Sequence, residues 1–254
     1  MLPTPPPIEP DPADAFPKSW RPFLRSNVFH YRLLRKRERQ RLRNDTATFV
    51  ATKDWEGCRG LSVTDEMKVT VAAQACLMLL GREHDCFSRV RTILLYPSGF
   101  RVTDEHWEEE GWDPVPVAGV AVRRGPVILA WDRVLKEGRD PSAGDNVVIH
   151  EFAHQLDYID GYADGTLDFS GDEGEEWNKV LTTEYKRALR HTRRGHDDFL
   201  GDYAATSQTE FFATASERFF AQPLKLRHYH PALYAVLAAV YAVEPARWFA
   251  KRER

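Results

Sequence analysis

The apolar residues of this chain fall into blocks whose spacing changes along its length. Residues 67–80 (Met-Lys-Val-Thr-Val-Ala-Ala-Gln-Ala-Cys-Leu-Met-Leu-Leu) are apolar on nearly every side of a 3.6-residue turn, which predicts a buried helix. Thr64-Asp65-Glu66 supplies its start and Gly81 its stop. The run from Val90 to Tyr96, with Ile93, Leu94 and Leu95, ends at Pro97 and predicts a strand. Val115 to Val122 and Gly125 to Trp131 read as two more strands, joined near Arg123-Arg124-Gly125, with the acidic segment Asp104 to Asp113 as a loop before them. A second block that is apolar all round (Val147, Val148, Ile149, Phe152, Ala153, Leu156) follows the cap-forming residues Ser142, Asp145 and Asn146. Helices are also predicted over Glu175 to Arg194, over Ser207 to Phe220, and behind Pro231 through Leu233, Val236, Leu237, Val240 and Tyr241.

Helices interrupted by three or four strands place the chain in the α+β class, with a small mixed sheet beside the helix that begins near Val147. Residues 1–18 are rich in proline and read as an extended, mobile tail. Residues 19–85 read as a helical region packed on the core, and 86–254 as the functional region. Hydrophobic content of 43% and charged content of 29% are those of an ordinary globular protein. A net charge of −3 offers no general attraction to nucleic acid. The basic run from Arg35 to Arg43 lacks aromatic interleaving and reads as a solvated helix face. No signal-type or membrane-spanning apolar run is present, and Cys58, Cys76 and Cys86 are odd in number and widely spaced. Together these predict a cytoplasmic protein with no membrane or direct nucleic-acid partner.

The chemistry centres on His150-Glu151-Phe152-Ala153-His154. On a helix, residues four apart share a face, so two imidazoles can hold one Zn²⁺. Glu151 then stands beside the metal, where it can act as general base toward a zinc-bound water. A catalytic zinc takes three protein ligands and keeps a position open. The spacing leaves three candidates for the third ligand. Asp160 lies in the loop after the helix, and Glu210 and Glu217 share a face of the helix over 207–220. Ser207 and Glu210 also fit a capping box, a purely structural use of Glu210. The alternative to metal binding is a pair of core histidines satisfied by hydrogen bonds.

The combination of His-Glu-Phe-Ala-His-x-Leu-Asp with Asp202-Tyr203-Ala204-Ala205, Glu210-Phe211-Phe212-Ala213 and Ser216-Glu217-x-Phe219-Phe220 resembles the Mlc titration factor A family of zinc peptidases. The likeness runs from about residue 19 to the end of the chain. It implies one zinc on His150, His154 and Glu210, with Glu151 as base, Tyr203 as a hydrogen-bond donor to the tetrahedral intermediate, and Glu217 in a supporting role. It also implies a zincin-like fold of the lethal-factor type, in which Gly119 to Val122 would be the edge strand that pairs with substrate. Aminopeptidase-like activity on a peptide or protein, and capture of a sugar-responsive transcriptional repressor, are the functions the resemblance suggests.

Overall fold

The computed structural model describes residues 16–100, 117–122, 125–158, 172–196 and 198–250. Ten α-helices surround one four-stranded mixed sheet among these residues, an α+β arrangement. Helices α1 (Arg21–Asn27) and α2 (Lys36–Thr52) lead to β1 (Asp54–Gly57), α3 (Asp65–Leu77) and β2 (Thr92–Tyr96). The strands β3 (Gly119–Ala121) and β4 (Val127–Ala130) follow, and α4 (Trp131–Arg139) continues directly from β4. The second half is helical: α5 (Val147–Asp157), α6 (Asp172–Arg193), α7 (Gln208–Ala221), α8 (Pro223–Tyr229), α9 (Pro231–Tyr241) and α10 (Pro245–Phe249). No helix of the described residues is long and apolar enough to cross a membrane.

The sheet order is β1-β2-β4-β3. The first three strands run parallel, with Ile93 opposite Val127 and Leu95 opposite Leu129, and all four of these side chains are fully buried. Alternation of side chains along each strand therefore turns one face of the sheet into the core. β3 pairs antiparallel to β4, Gly119 opposite Leu129 and Ala121 opposite Val127, and lies at the sheet's edge.

The elements expected from periodicity are present, with shifted ends. The helix over 67–80 runs Asp65–Leu77, and Thr64 Oγ1 accepts the Met67 N–H at its start. The strand expected to reach Trp131 stops at Ala130, because Trp131 already begins α4. β1 was not expected: Asp54-Trp55-Glu56-Gly57 is a half-exposed edge with one large apolar residue, so the pattern carries little strand signal. The Asp104–Asp113 loop and the Arg123-Arg124 turn lie outside the described residues.

Aromatic contacts join the halves. Phe152 of α5 meets Phe49 of α2 edge-on at 5.6 Å and Phe87 at 4.7 Å. Trp177 of α6 meets Phe212 of α7 at 5.5 Å. These pairs hold α5 and α7 in the centre of the core, which fixes the backbone carrying the two motifs.

Candidate metal centre

The start of α5 is tied down by side chains from three other helices. Gly144 adopts φ +92°, a left-handed conformation favouring glycine, and turns the chain into the cap. Asn146 then caps the helix, its Oδ1 accepting the Ile149 N–H at 3.0 Å. The Val147 N–H goes to Glu137 Oε2 of α4 at 2.7 Å, and the Asn146 N–H to Glu217 Oε2 of α7 at 2.5 Å. Asn146 Nδ2 donates to Gln74 Oε1 of α3 at 2.8 Å. The donors that any helix start leaves unpaired are thus used to orient this one.

One turn further on, the predicted residues come together. His150 and His154 point the same way, with their Nε2 atoms 3.1 Å apart. Glu210 of α7 reaches between them, Oε2 lying 3.0 Å from His150 Nε2 and Oε1 lying 3.5 Å from His154 Nε2. Ser207 Oγ does cap the Glu210 N–H, at 3.0 Å, but the Glu210 carboxylate turns to the histidines. Glu217 takes the other side of the first imidazole, its Oε1 lying 2.8 Å from His150 Nδ1. Asp160 lies outside the described residues.

These contacts test the fit to a cation. The Glu217 carboxylate only accepts, so His150 donates through Nδ1, and a neutral ring then presents a lone pair at Nε2. That lone pair faces the His154 nitrogen and a Glu210 oxygen, an arrangement that needs positive charge at its centre. With protein groups alone a proton on Nε2 supplies that charge: burial would lower the His150 pKa, yet hydrogen bonds to Glu210 and Glu217 hold it well above its ordinary value. Burial likewise opposes ionisation of Glu210, and the two imidazoles outweigh it, holding the carboxyl far below the usual range. The three donor atoms lie within 4.8 Å of one another and fit one metal ion.

A second set, Asp45, His84 and Cys86, also gathers. There the imidazole is satisfied on both sides: Nε2 lies 3.2 Å from Asp45 Oδ2, and Nδ1 accepts the Cys86 N–H at 3.2 Å. Burial pushes the Cys86 thiol up to about 12, away from the thiolate that metals prefer.

Glu151 lies behind the histidines against β3. The Ala121 N–H hydrogen-bonds to its carboxylate, and Gly119 passes so close that a Cβ there would stand 2.6 Å from Glu151 Oε1. From protein groups alone, burial pushes the Glu151 carboxyl up to about 8, opposed by the His150 charge and the Ala121 N–H. Tyr203, on a short 3₁₀ turn anchored by buried Ala204 and Ala205, is 59% exposed and has its ring 6.0 Å from that of His150. Burial of its hydroxyl and the neighbouring Glu210 raise its pKa further above the ordinary tyrosine value.

Sequence reasoning missed the supporting residues Glu137 and Gln74. The Arg133–Glu137 pair, i and i+4 on α4, is visible in sequence, but its use as a cap for another helix is not. His230 is buried and pairs with Glu184 at 2.7 Å, a contact between α6 and the start of α9.

A sequence model of the glucose-regulated metallo-peptidase M90 family matches residues 11–242. The chain is 32% identical over 234 residues to the uncharacterized protein slr2042 of Synechocystis, covering 90% of this chain and 85% of that protein. It is 31% identical over 223 residues to Mlc titration factor A of Serratia proteamaculans (84% and 82% covered). It is 29% identical over 220 residues to Mlc titration factor A of Klebsiella pneumoniae strain 342 (82% and 80%). The family match takes in both helices that build the centre, and the chain belongs to the glucose-regulated metallo-peptidases of family M90.

Proposed function

We propose that the chain is a zinc-dependent, aminopeptidase-like peptidase with a zincin-like catalytic region. His150, His154 and Glu210 hold one Zn²⁺ and Glu151 is the general base. The observation that carries this reading is the convergence of two Nε2 atoms and a carboxylate within 4.8 Å, beside a buried carboxyl on the same helix. Zinc bound there would polarise a scissile carbonyl and lower the pKa of water toward neutrality.

The chain's own groups supply the remaining chemistry. Glu151 takes the proton of the attacking water and returns it to the leaving amine, a round trip suited to a carboxyl whose proton affinity lies above the ordinary range. Tyr203 keeps its proton at neutral pH and donates it in a hydrogen bond to the oxyanion, a role worth about 2.7–4 kcal/mol for a well-placed donor. The edge strand β3 offers its remaining outward groups, those of Gly119 and the Ala121 carbonyl, to a short extended peptide running beside Glu151.

Zinc stoichiometry and hydrolysis of aminoacyl and endopeptide substrates, run together, test this. Wild type should carry one zinc and turn over. Glu151→Gln should keep zinc and lose activity, and Glu210→Ala should lose both. Full activity in Glu151→Gln would remove that residue from the mechanism.

The name of these relatives, Mlc titration factor A, supports a second activity, capture of an Mlc-like transcriptional repressor. Glu151→Gln should then retain such a partner as well as wild type does. A cytoplasmic location suits both activities and agrees with three unpaired cysteines.

A further inference from the structure

The basic run Arg35 to Arg43 has no part in the metal centre, and the structure divides it. Arg41 pairs with Asp45 at 3.7 Å, and Arg43 donates to the Tyr31 hydroxyl at 2.8 Å. Arg35 and Arg39, one turn apart at the start of α2, instead line a cavity of about 530 Å³ together with Arg32. Its remaining wall is apolar: Phe29, Leu33, Leu34 and Trp248.

Three arginines lining one cavity bring like charges together, which an anion among them would offset. Among the described residues, none of the three forms an ion pair with a carboxylate; the ion pairs of the region belong to Arg41 and His84. Glu38, in the first turn of α2, is already engaged, accepting the Arg35 N–H at 2.5 Å and the Trp248 indole N–H at 3.1 Å. Two of the three cations are held in place. Arg39 Nε donates to the Leu34 carbonyl at 2.7 Å, and the Arg32 guanidinium lies 5.6 Å over the Phe29 ring. The N-terminal end of α2, where Arg35 is the cap residue, adds positive potential. The volume is that of a small-molecule site, and the wall pairs an apolar surface with fixed, planar cations of the kind that grip phosphate.

We infer that this cavity binds a small organic phosphate, a compact anion carried on a planar apolar body, of the nucleoside monophosphate class. The anion sits among Arg32, Arg35 and Arg39, and the body lies against Phe29, Leu33 and Trp248. No residue of the metal centre lines the cavity, so this binding is independent of the peptidase reading.

Calorimetric titration of the full zinc-loaded chain with AMP tests it, with adenosine and inorganic phosphate as the body and the anion alone. AMP should bind once per chain, and each fragment at least about tenfold more weakly. Arg32→Ala and Arg35→Ala should each weaken AMP by about tenfold or more, the scale of a lost charge-assisted pair. Neither arginine's side chain holds the backbone, so both variants should melt like wild type; Arg39→Lys, which keeps the charge without the planar fork, guards against misfolding at the third position. His154→Ala should bind AMP as wild type does. Absence of binding at millimolar AMP would overturn the inference. So would undiminished affinity in the Arg32→Ala, Arg35→Ala double variant. Inorganic phosphate binding as tightly as AMP would refute the apolar half of the site, and loss in His154→Ala would transfer the phosphate to the metal centre.

Discussion

Glu217 is 8% exposed and accepts from two buried donors, the Asn146 N–H and His150 Nδ1. Glu217→Ala strands both. A buried donor left without a partner costs about 1–3 kcal/mol, so the fold should lose about 2–6 kcal/mol. That is a large part of the roughly 5–15 kcal/mol that holds a typical domain together. The variant also frees the His150 ring to rotate, and losing such a support lowers metal affinity by about 10–100-fold. Glu217→Gln, with one acceptor oxygen, should fall between. Urea unfolding of chelator-treated protein reads the first effect, and competition for zinc against a chromophoric chelator reads the second. The two readouts separate positioning from packing. If Glu217→Ala is less stable yet binds zinc within about threefold of wild type, Glu217 fills space and does not orient His150, and the reasoning above is wrong.

Two other perturbations probe the surroundings of the centre. In Gly119→Ala the new methyl would stand 2.6 Å from Glu151 Oε1 and 2.7 Å from Val147 Cγ2. Overpacking of this kind costs about 1–3 kcal/mol, and displacement of the base should cut turnover by up to about 100-fold with zinc content unchanged; wild-type turnover would refute the close approach. Burial lowers the His30 pKa to about 4, against a small opposing effect of its hydrogen bond to the Phe220 carbonyl. The unfolded chain, with an ordinary histidine near 6.5, therefore binds more protons between these values, so stability is full above about pH 6.5 and falls with acid by about 3 kcal/mol toward pH 4. Unfolding free energies of wild type and His30→Gln between pH 4.5 and 7 should converge as pH falls; parallel curves would show that His30 does not set this slope.

The parts of the site that were legible in sequence are those whose chemistry is local. His150 and His154 share a helix face at a fixed spacing, so their meeting follows from the backbone alone. Glu210 and Glu217 also share a face, and spacing left both open as the third ligand. Both in fact reach the same imidazole, from opposite nitrogens, a distinction set by how α7 crosses α5. Tyr203 came only from the family resemblance, because a 3₁₀ turn carries no period of its own. The short elements α4 and β1 escaped notice for a related reason. Each has few apolar residues, and neighbours complete what the local pattern leaves blank. The basic run read as a solvated face is so in part, but Arg35 and Arg39 line a cavity whose far wall, Trp248, lies about two hundred residues away in the chain.

The position of β3 also bears on how molecules of this protein treat one another. An uncovered sheet edge invites strands from neighbouring chains, the first step of aggregation. In β3 the Val122 N–H and the Ala118 carbonyl turn inward to β4, so positions 119 and 121 face outward. The outward Ala121 N–H is held by the Glu151 carboxylate of α5. The strand is only three residues long and opens on a glycine. An incoming strand from another copy finds that one donor already engaged and a ladder only three residues long. The close seating of a helix against this edge makes the protein a poor template for its own copies, which favours solubility at high concentration.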